Sequence, residues 1–319
     1  MSRAGWSAVV ALAILAAPSA DAWGQVSADP PVGQDVSAAL RQIHDGHPVE
    51  GRKALEALVK AGRADAAEAL GEILQGGYLG PPDRKAACEL FVQSSKTWGA
   101  GMHNLALCYE QGVNGPPDLA RAAGLYERAG QMGYPKAKCA LGNLLIAGRG
   151  VPADPPRGLA LCKEAADAGV ADAQADVGNQ YLMGRIVPRD PVEARRWYQK
   201  AADQHQHQAA RTLGEMYARG DGGPQSWSEA KRLWRVAAEA GDVQAPELLA
   251  KRLTVELLAA DFRPGDPRRA ADIAEAIKWS QVTIADNPDP KEVEAAKGGV
   301  AILRGMQEGE RKLMAHPSS

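Results

Sequence analysis

Large aromatic side chains are scarce in this 319-residue chain, which has only two phenylalanines, Phe91 and Phe262, beside 34 glycines. A β-sandwich core draws on aromatic and β-branched residues, so this composition favours helices packed closely on small side chains. A basic surplus is also missing: 37 Lys and Arg face 39 Asp and Glu, a net charge of −2. Nucleic-acid binders need a positive stripe to neutralise phosphates, and that class is excluded. No phosphate-binding glycine loop, catalytic triad or recurrent metal-ligand set occurs, so neither a cofactor nor a metal is expected. Beyond the first residues no apolar run is long enough to cross a bilayer.

The first residues read as an export leader. Arg3 supplies the positive start, an apolar run extends from Trp6 to Ala17, and Ala20-Asp21-Ala22 offers a small–x–small cleavage site before Trp23. The expected organisation is a signal peptide over 1–22 and a linker over 23–35. A retained N-terminal anchor is the alternative. With the leader removed, no stable transmembrane segment is expected.

What the chain does contain is a repeat. Leu70-Gly71, Leu105-Ala106, Leu141-Gly142, Val177-Gly178 and Leu213-Gly214 follow one another at spacings of 35, 36, 36 and 36 residues. Ala66, Gly101, Ala137, Ala173 and Ala209 stand four residues before these, and Leu74, Tyr109, Leu145, Tyr181 and Tyr217 four residues after. Residues four apart share a helical face, so each row predicts a buried stripe on a first, or A, helix. Gly77, Gly112, Gly148, Gly184 and Gly220 supply left-handed helix ends. Asp83, Asp118, Asp154, Asp190 and Ser226 are N-cap candidates for a second, or B, helix. Asp190 with Glu193 and Ser226 with Glu229 have the spacing of capping boxes. The B-helix stripe runs Ala122-Leu125-Tyr126-Ala129, Ala194-Trp197-Tyr198-Ala201 and Ala230-Leu233-Trp234-Ala237, and Gly62, Gly133, Gly169 and Gly241 close helices of this second kind.

The pattern Ala-x3-Leu-Gly-x2-Tyr-x2-Gly, followed by Asp-x3-Ala-x2-Trp-Tyr-x2-Ala-Ala, resembles the Sel1-like repeat, a relative of the tetratricopeptide repeat. Val151-Pro152-Ala153-Asp154 and Val187-Pro188-Arg189-Asp190 match its inter-helix loop. The resemblance covers roughly residues 45–285. It implies an all-α, α/α superhelical solenoid of 36-residue helix pairs, and adaptor or regulatory roles in bacterial envelopes. The expected divisions are a capping helix pair over 36–65, five repeats over 66–244, a degenerate sixth repeat over 245–289 with an insertion near Phe262-Arg263-Pro264, and a capping helix and tail over 290–319.

Cys88, Cys108, Cys139 and Cys162 are disulfide candidates in an exported chain, and four cysteines allow three pairings. Cys88 and Cys108 are equidistant from the turn near residue 98 and flank the buried stripes, which favours that pair. Cys139 and Cys162 are level across the turn near residue 151, but Cys139 falls in a solvent-side row with His103 and Arg211. Their pairing stays open, as does the possibility that the thiols are buried and free.

Two further motifs carry little. In His205-Gln206-His207, His205 occupies the place of a helix-ending glycine, and no partner ligands recur around it. Ser228-Glu229-Ala230-Lys231 matches Ser-x-x-Lys, yet its companion motifs are missing. What remains is surface. Glu72, Leu107, Asn143, Asn179 and Glu215 form a mostly polar row six residues after each leading small residue, on the expected concave face. Glu72, Asn143, Asn179 and Glu215 are the candidate partner-binding residues. The expected function is an exported scaffold binding a protein or peptide, such as a membrane-protein ectodomain, with no enzymatic activity. A cell-wall-directed hydrolase and an assembly factor for secretion or polysaccharide export are the alternatives.

Overall fold

Small residues at fixed intervals let helices approach closely, and the chain uses them in that way throughout. A computed structural model describes residues 31–259, 267–287 and 289–315. The leader over 1–22, its cleavage point, most of the 23–35 linker and the insertion near Phe262 lie outside the described residues. Among the described residues there are fifteen helices and no strand. They are α1 (Gln34–His44), α2 (Pro48–Lys60), α3 (Ala64–Gly76), α4 (Arg84–Ser94), α5 (Gly99–Gln111), α6 (Leu119–Gln131), α7 (Pro135–Ala147), α8 (Pro155–Asp167), α9 (Ala171–Met183), α10 (Pro191–Asp203), α11 (His207–Arg219), α12 (Trp227–Glu239), α13 (Ala245–Ala259), α14 (Pro267–Asp286) and α15 (Pro290–Ala315). None is long and apolar enough to cross a membrane. The chain divides after Ala173 into two compact units.

The first unit carries α1 to α8. Its core begins with Val36, Leu55 and Leu70, continues through Phe91 and Leu105, and ends on Tyr126, Leu141 and Leu144. Arg63 pins the first helix to the third, pairing with Asp35 at 2.7 Å and with the buried Asp65 at 2.6 Å. The second unit packs Tyr198, Leu213, Trp234, Leu249, Ile273 and Trp279 into one core.

Each repeat closes in the same way. The predicted N-caps all cap: the side chains of Asp83, Asp118, Asp154, Asp190 and Ser226 accept backbone N–H bonds from the first turns of α4, α6, α8, α10 and α12. The two capping boxes form only their forward arm. The N–H groups of Asp190 and Ser226 donate instead to the carbonyls of Tyr181 and Tyr217, each at 2.9 Å. Glu193 and Glu229 turn outward to Arg196 and Arg232. The carbonyl at the end of the preceding helix is the better acceptor, because a carboxylate in its place would leave that carbonyl without its partner. The A helices end at left-handed glycines, Gly112 at φ 68° and Gly220 at φ 76° among them. His205 takes φ 60°, the left-handed conformation expected of its position.

The glycine after the central Leu or Val seats one large B-helix side chain. A Cβ on Gly214 would lie 2.6 Å from Nε1 of Trp234, and one on Gly178 would lie 3.2 Å from the Tyr198 ring. Gly71 faces Phe91 in the same manner. A helical glycine with open space costs helix stability, whereas one in such contact relieves a clash. Gly214→Ala is therefore expected to destabilise the protein by about 1–3 kcal/mol. Gly124→Ala, where nothing lies within 4 Å of the added Cβ, should stabilise it by about 0.5–1 kcal/mol. Urea denaturation of both variants checks this, and equal effects of the two would contradict it.

Candidate functional site

Every A helix presents two positions away from its main stripe, two and six residues after its leading small residue. The first gives Glu68, His103, Cys139, Ala175 and Arg211, and the second Glu72, Leu107, Asn143, Asn179 and Glu215.

In the first unit these positions build a polar cluster on α3, α5 and α7. Glu68 is only 4% exposed. Its carboxylate accepts a bond from Ser94 Oγ at 2.7 Å and another from Asn104 Nδ2 at 2.5 Å. Ser94 replaces the alanine found at the same place as Ala129, Ala165, Ala201 and Ala237, and Gly101 gives up its Cβ to make room for it. The double departure from Ala is the sequence signal that could have revealed this network. His103 lies 5.5 Å from the Tyr126 ring and 5.3 Å from the Tyr134 ring, with Nδ1 3.2 Å from Asn104 Oδ1.

Glu72 is not an open surface carboxylate. Burial pushes its pKa up to about 7, against the opposing pull of Lys136 and of a bond from Asn104. Burial lowers His103 to about 4, with Asn104 acting to raise it and Lys136 to lower it further. Asn143, by contrast, is exposed.

In the second unit Asn179 is exposed and accepts the Tyr198 hydroxyl at 2.6 Å. Burial, together with Asp176 and Glu215, raises the Tyr198 hydroxyl above its ordinary pKa, while Arg211 opposes them. Glu215 is held between Arg211 at 2.9 Å and Arg219 at 3.4 Å. Arg211 also reaches Asp242 at 3.1 Å. Asp242 is buried, and that burial works to raise its pKa. Bonds from Ala245 N and Gln244 N, with the Arg211 charge, overcome it and hold the carboxyl below the usual range. Asp242 and Arg211 were not legible as a pair, because 31 residues separate them and neither belongs to a motif.

All four cysteines of the chain are paired. Cys88 on α4 bonds Cys108 on α5 with Cα atoms 5.9 Å apart, joining one repeat to the next. Cys139 bonds Cys162 at a Cα separation of 4.0 Å, closing the α7–α8 pair. The solvent-side placing of Cys139 is corrected: it is 4% exposed. Cys162 stands where other repeats carry Phe91, Tyr126, Tyr198 and Trp234, so the sulfur bridge occupies space an aromatic ring fills elsewhere. Gly142 and Gly158 let these two helices meet backbone to backbone, a Cβ on either lying 2.5 Å from the carbonyl oxygen of the other.

The remaining motifs do not converge on chemistry. Ser228 Oγ lies 3.0 Å from the Ser226 hydroxyl, and Lys231 pairs with Glu256 at 2.5 Å. His207 Nδ1 contacts Asp242 at 3.4 Å, while His205 ends a helix.

Repeated A–B pairs with glycine-seated aromatics and capped loops define a tandem helix-pair repeat protein. The family model for the Sel1 repeat matches residues 64–96, 99–134, 135–170, 171–205 and 207–242, more than half of the chain. The chain belongs to the Sel1-repeat family. Among solved structures, it is similar to a Sel1 repeat protein from Oxalobacter formigenes, with a TM-score of 0.59 and 20% identity over 76% of this chain and 97% of that one. It is also similar to c5321, a protective antigen of uropathogenic Escherichia coli strains, with a TM-score of 0.56 and 24% identity over 83% of this chain and 58% of that one. The immunity protein Pa5087 from Pseudomonas aeruginosa gives a TM-score of 0.50 at 19% identity over 67% of this chain and 86% of that one. These likenesses concern the all-α solenoid fold. No curated protein matches the chain in sequence. The Sel1-repeat fold points to a protein–protein interaction scaffold.

The two shifted groups of the first unit have opposite pH signatures. A carboxyl with a raised pKa stabilises the fold below its unfolded value near 4.5 and loses that contribution as pH climbs through about 7. His103, lowered to about 4, contributes above 6.5 and loses its share as pH falls through 4. Glu72→Gln removes the first effect alone. The difference in melting temperature between variant and wild type should grow in the variant's favour from pH 4.5 to about 7 and then level off. A difference independent of pH would contradict the burial of this carboxyl.

Proposed function

We propose that the chain is an exported, non-enzymatic scaffold that binds a polypeptide partner in the bacterial envelope, either a peptide or the ectodomain of a membrane protein. The observation that carries the reading is the A-helix row. Asn143 in the first unit and Asn179 in the second each present an exposed amide, and the same row carries the half-buried carboxylates Glu72 and Glu215. Side-chain amides can donate to and accept from an extended backbone without demanding one sequence. Export is supported by the disulfides, since thiols persist in reduced form in the cytosol and oxidise outside it. It is supported further by the leader-like features of Arg3 and Ala20-Asp21-Ala22.

The test uses the protein purified from an envelope fraction with its co-purifying partner. Asn143→Ala combined with Asn179→Ala should weaken partner affinity about tenfold, since each lost hydrogen bond is worth roughly 0.5–1.5 kcal/mol. Thermal unfolding should change little, apart from the loss of the Tyr198–Asn179 bond. Unchanged affinity in a normally folded variant would remove the row as the binding surface. Recovery of the protein in the cytoplasm with an intact Met1 would defeat the export reading.

A further inference from the structure

Asn104 holds α3 to α5 with both ends of its amide. Its Nδ2 group donates to two carboxylates of α3, Glu68 at 2.5 Å and Glu72 one turn further on. Its Oδ1 accepts the Nδ1–H of His103, its neighbour on α5, at 3.2 Å. The other repeats carry Ala69, Ala140, Asp176 and Thr212 at this position. Glu68 is buried and has Ser94 as a further donor. Glu72 is half-buried and has the one bond, with no ion pair among the described residues. An ionised carboxylate can accept about four hydrogen bonds, so most of its acceptor capacity is unused.

The groups that face this carboxyl come from four further helices. On α4 the neighbour is the neutral hydroxyl of Ser94, and on α5 it is His103 with Asn104. Tyr126 on α6 donates its hydroxyl to Glu110 at 3.0 Å, and burial keeps that proton in place. On α7, Lys138 is turned to Glu164 at 2.8 Å. Lys136 differs from all of these. It stands in the first turn of α7, exposed, and among the described residues it makes no ion pair. A cation there meets the positive end of the helix dipole, so its own helix does not hold it. The Tyr134 ring just before it lies 5.3 Å from the His103 ring, which brings the start of α7 beside the cluster. The Lys136 charge already acts on both Glu72 and His103.

We infer that Lys136 is a strap poised beside α5, which closes on Glu72 when that carboxyl gives its proton to solvent and swings free when the proton returns. Closed, it runs from the third repeat to the first and covers His103 on the second. Burial places the transition near 7, with the ion pair present above that pH and absent below it. His103, held near 4, stays neutral throughout. The strap is a property of the chain alone, and it stands or falls whether or not a partner binds the row.

Carboxyl-carbon and imidazole NMR titrations of the full chain test it, with Lys136→Met beside the wild type. Removing the cation should move the Glu72 midpoint up by roughly one pH unit. The His103 midpoint should rise as well, because Lys136 acts to lower both groups. Mere loosening of the cluster has another signature: with burial lost, Glu72 would fall while His103 rose. Lys138→Met removes the same charge two residues away and should leave both midpoints in place. In a double-mutant cycle of Glu72→Gln with Lys136→Met, the changes in melting temperature should be additive at about pH 5.5 and non-additive at about pH 8.5. A Glu72 midpoint unmoved or lowered in Lys136→Met, the same response in Lys138→Met, or a cycle equally additive at both pH values would each overturn the inference.

Discussion

One hydrogen bond recurs in every repeat and the rest of the pair hangs on it. The backbone N–H of each B-helix cap, at Asp83, Asp118, Asp154, Asp190 and Ser226, donates to the carbonyl nine residues earlier, at Leu74, Tyr109, Leu145, Tyr181 and Tyr217, always at 2.9 Å. It satisfies an A-helix carbonyl that would otherwise be orphaned at the helix end. It also fixes where the next helix starts, leaving the cap side chain to accept from that helix's first turn. With both ends of the loop fixed, the B helix can come down on the A-helix glycine at only one register. That register seats Phe91 on Gly71, Tyr198 on Gly178 and Trp234 on Gly214.

Much of this was legible because it depends on local chemistry repeated at a fixed period. The left-handed glycines, the Asp and Ser caps and the stripes of Leu and Ala each follow from backbone requirements of a helix, and five copies reinforce one another. Where the expectation failed, the reason was a partner distant in sequence. Glu193 and Glu229 have the capping-box spacing, but the N–H they would have met is taken by a tyrosine carbonyl on another helix. Cys139 sits on a position that Glu68, His103 and Arg211 make polar in three of the other four repeats, and the α7–α8 approach at Gly142 and Gly158 shows that it is enclosed. Glu72 shares a row with exposed amides, yet burial raises its pKa against the opposing pull of Lys136 and Asn104, which come from later repeats.

The departures from the repeat also say where function has room to differ from scaffold. Cys162 in place of an aromatic, and Ser94 with Gly101 in place of two alanines, leave the helix pair intact while changing what it encloses or offers. Each alters side chains around an unchanged hydrogen-bonded loop. A repeat whose geometry is carried by backbone bonds and small residues can vary its exposed positions freely, as a scaffold for polypeptide partners requires.

Amide hydrogen exchange at the five cap residues tests this account most directly. If the inter-helix bond governs the repeat, the N–H groups of Asp83, Asp118, Asp154, Asp190 and Ser226 should exchange as slowly as the helix interiors, although each lies beside an exposed loop. Exchange at these five sites as fast as at Gly80, Gly115 or Gly223 in the adjoining loops would contradict it.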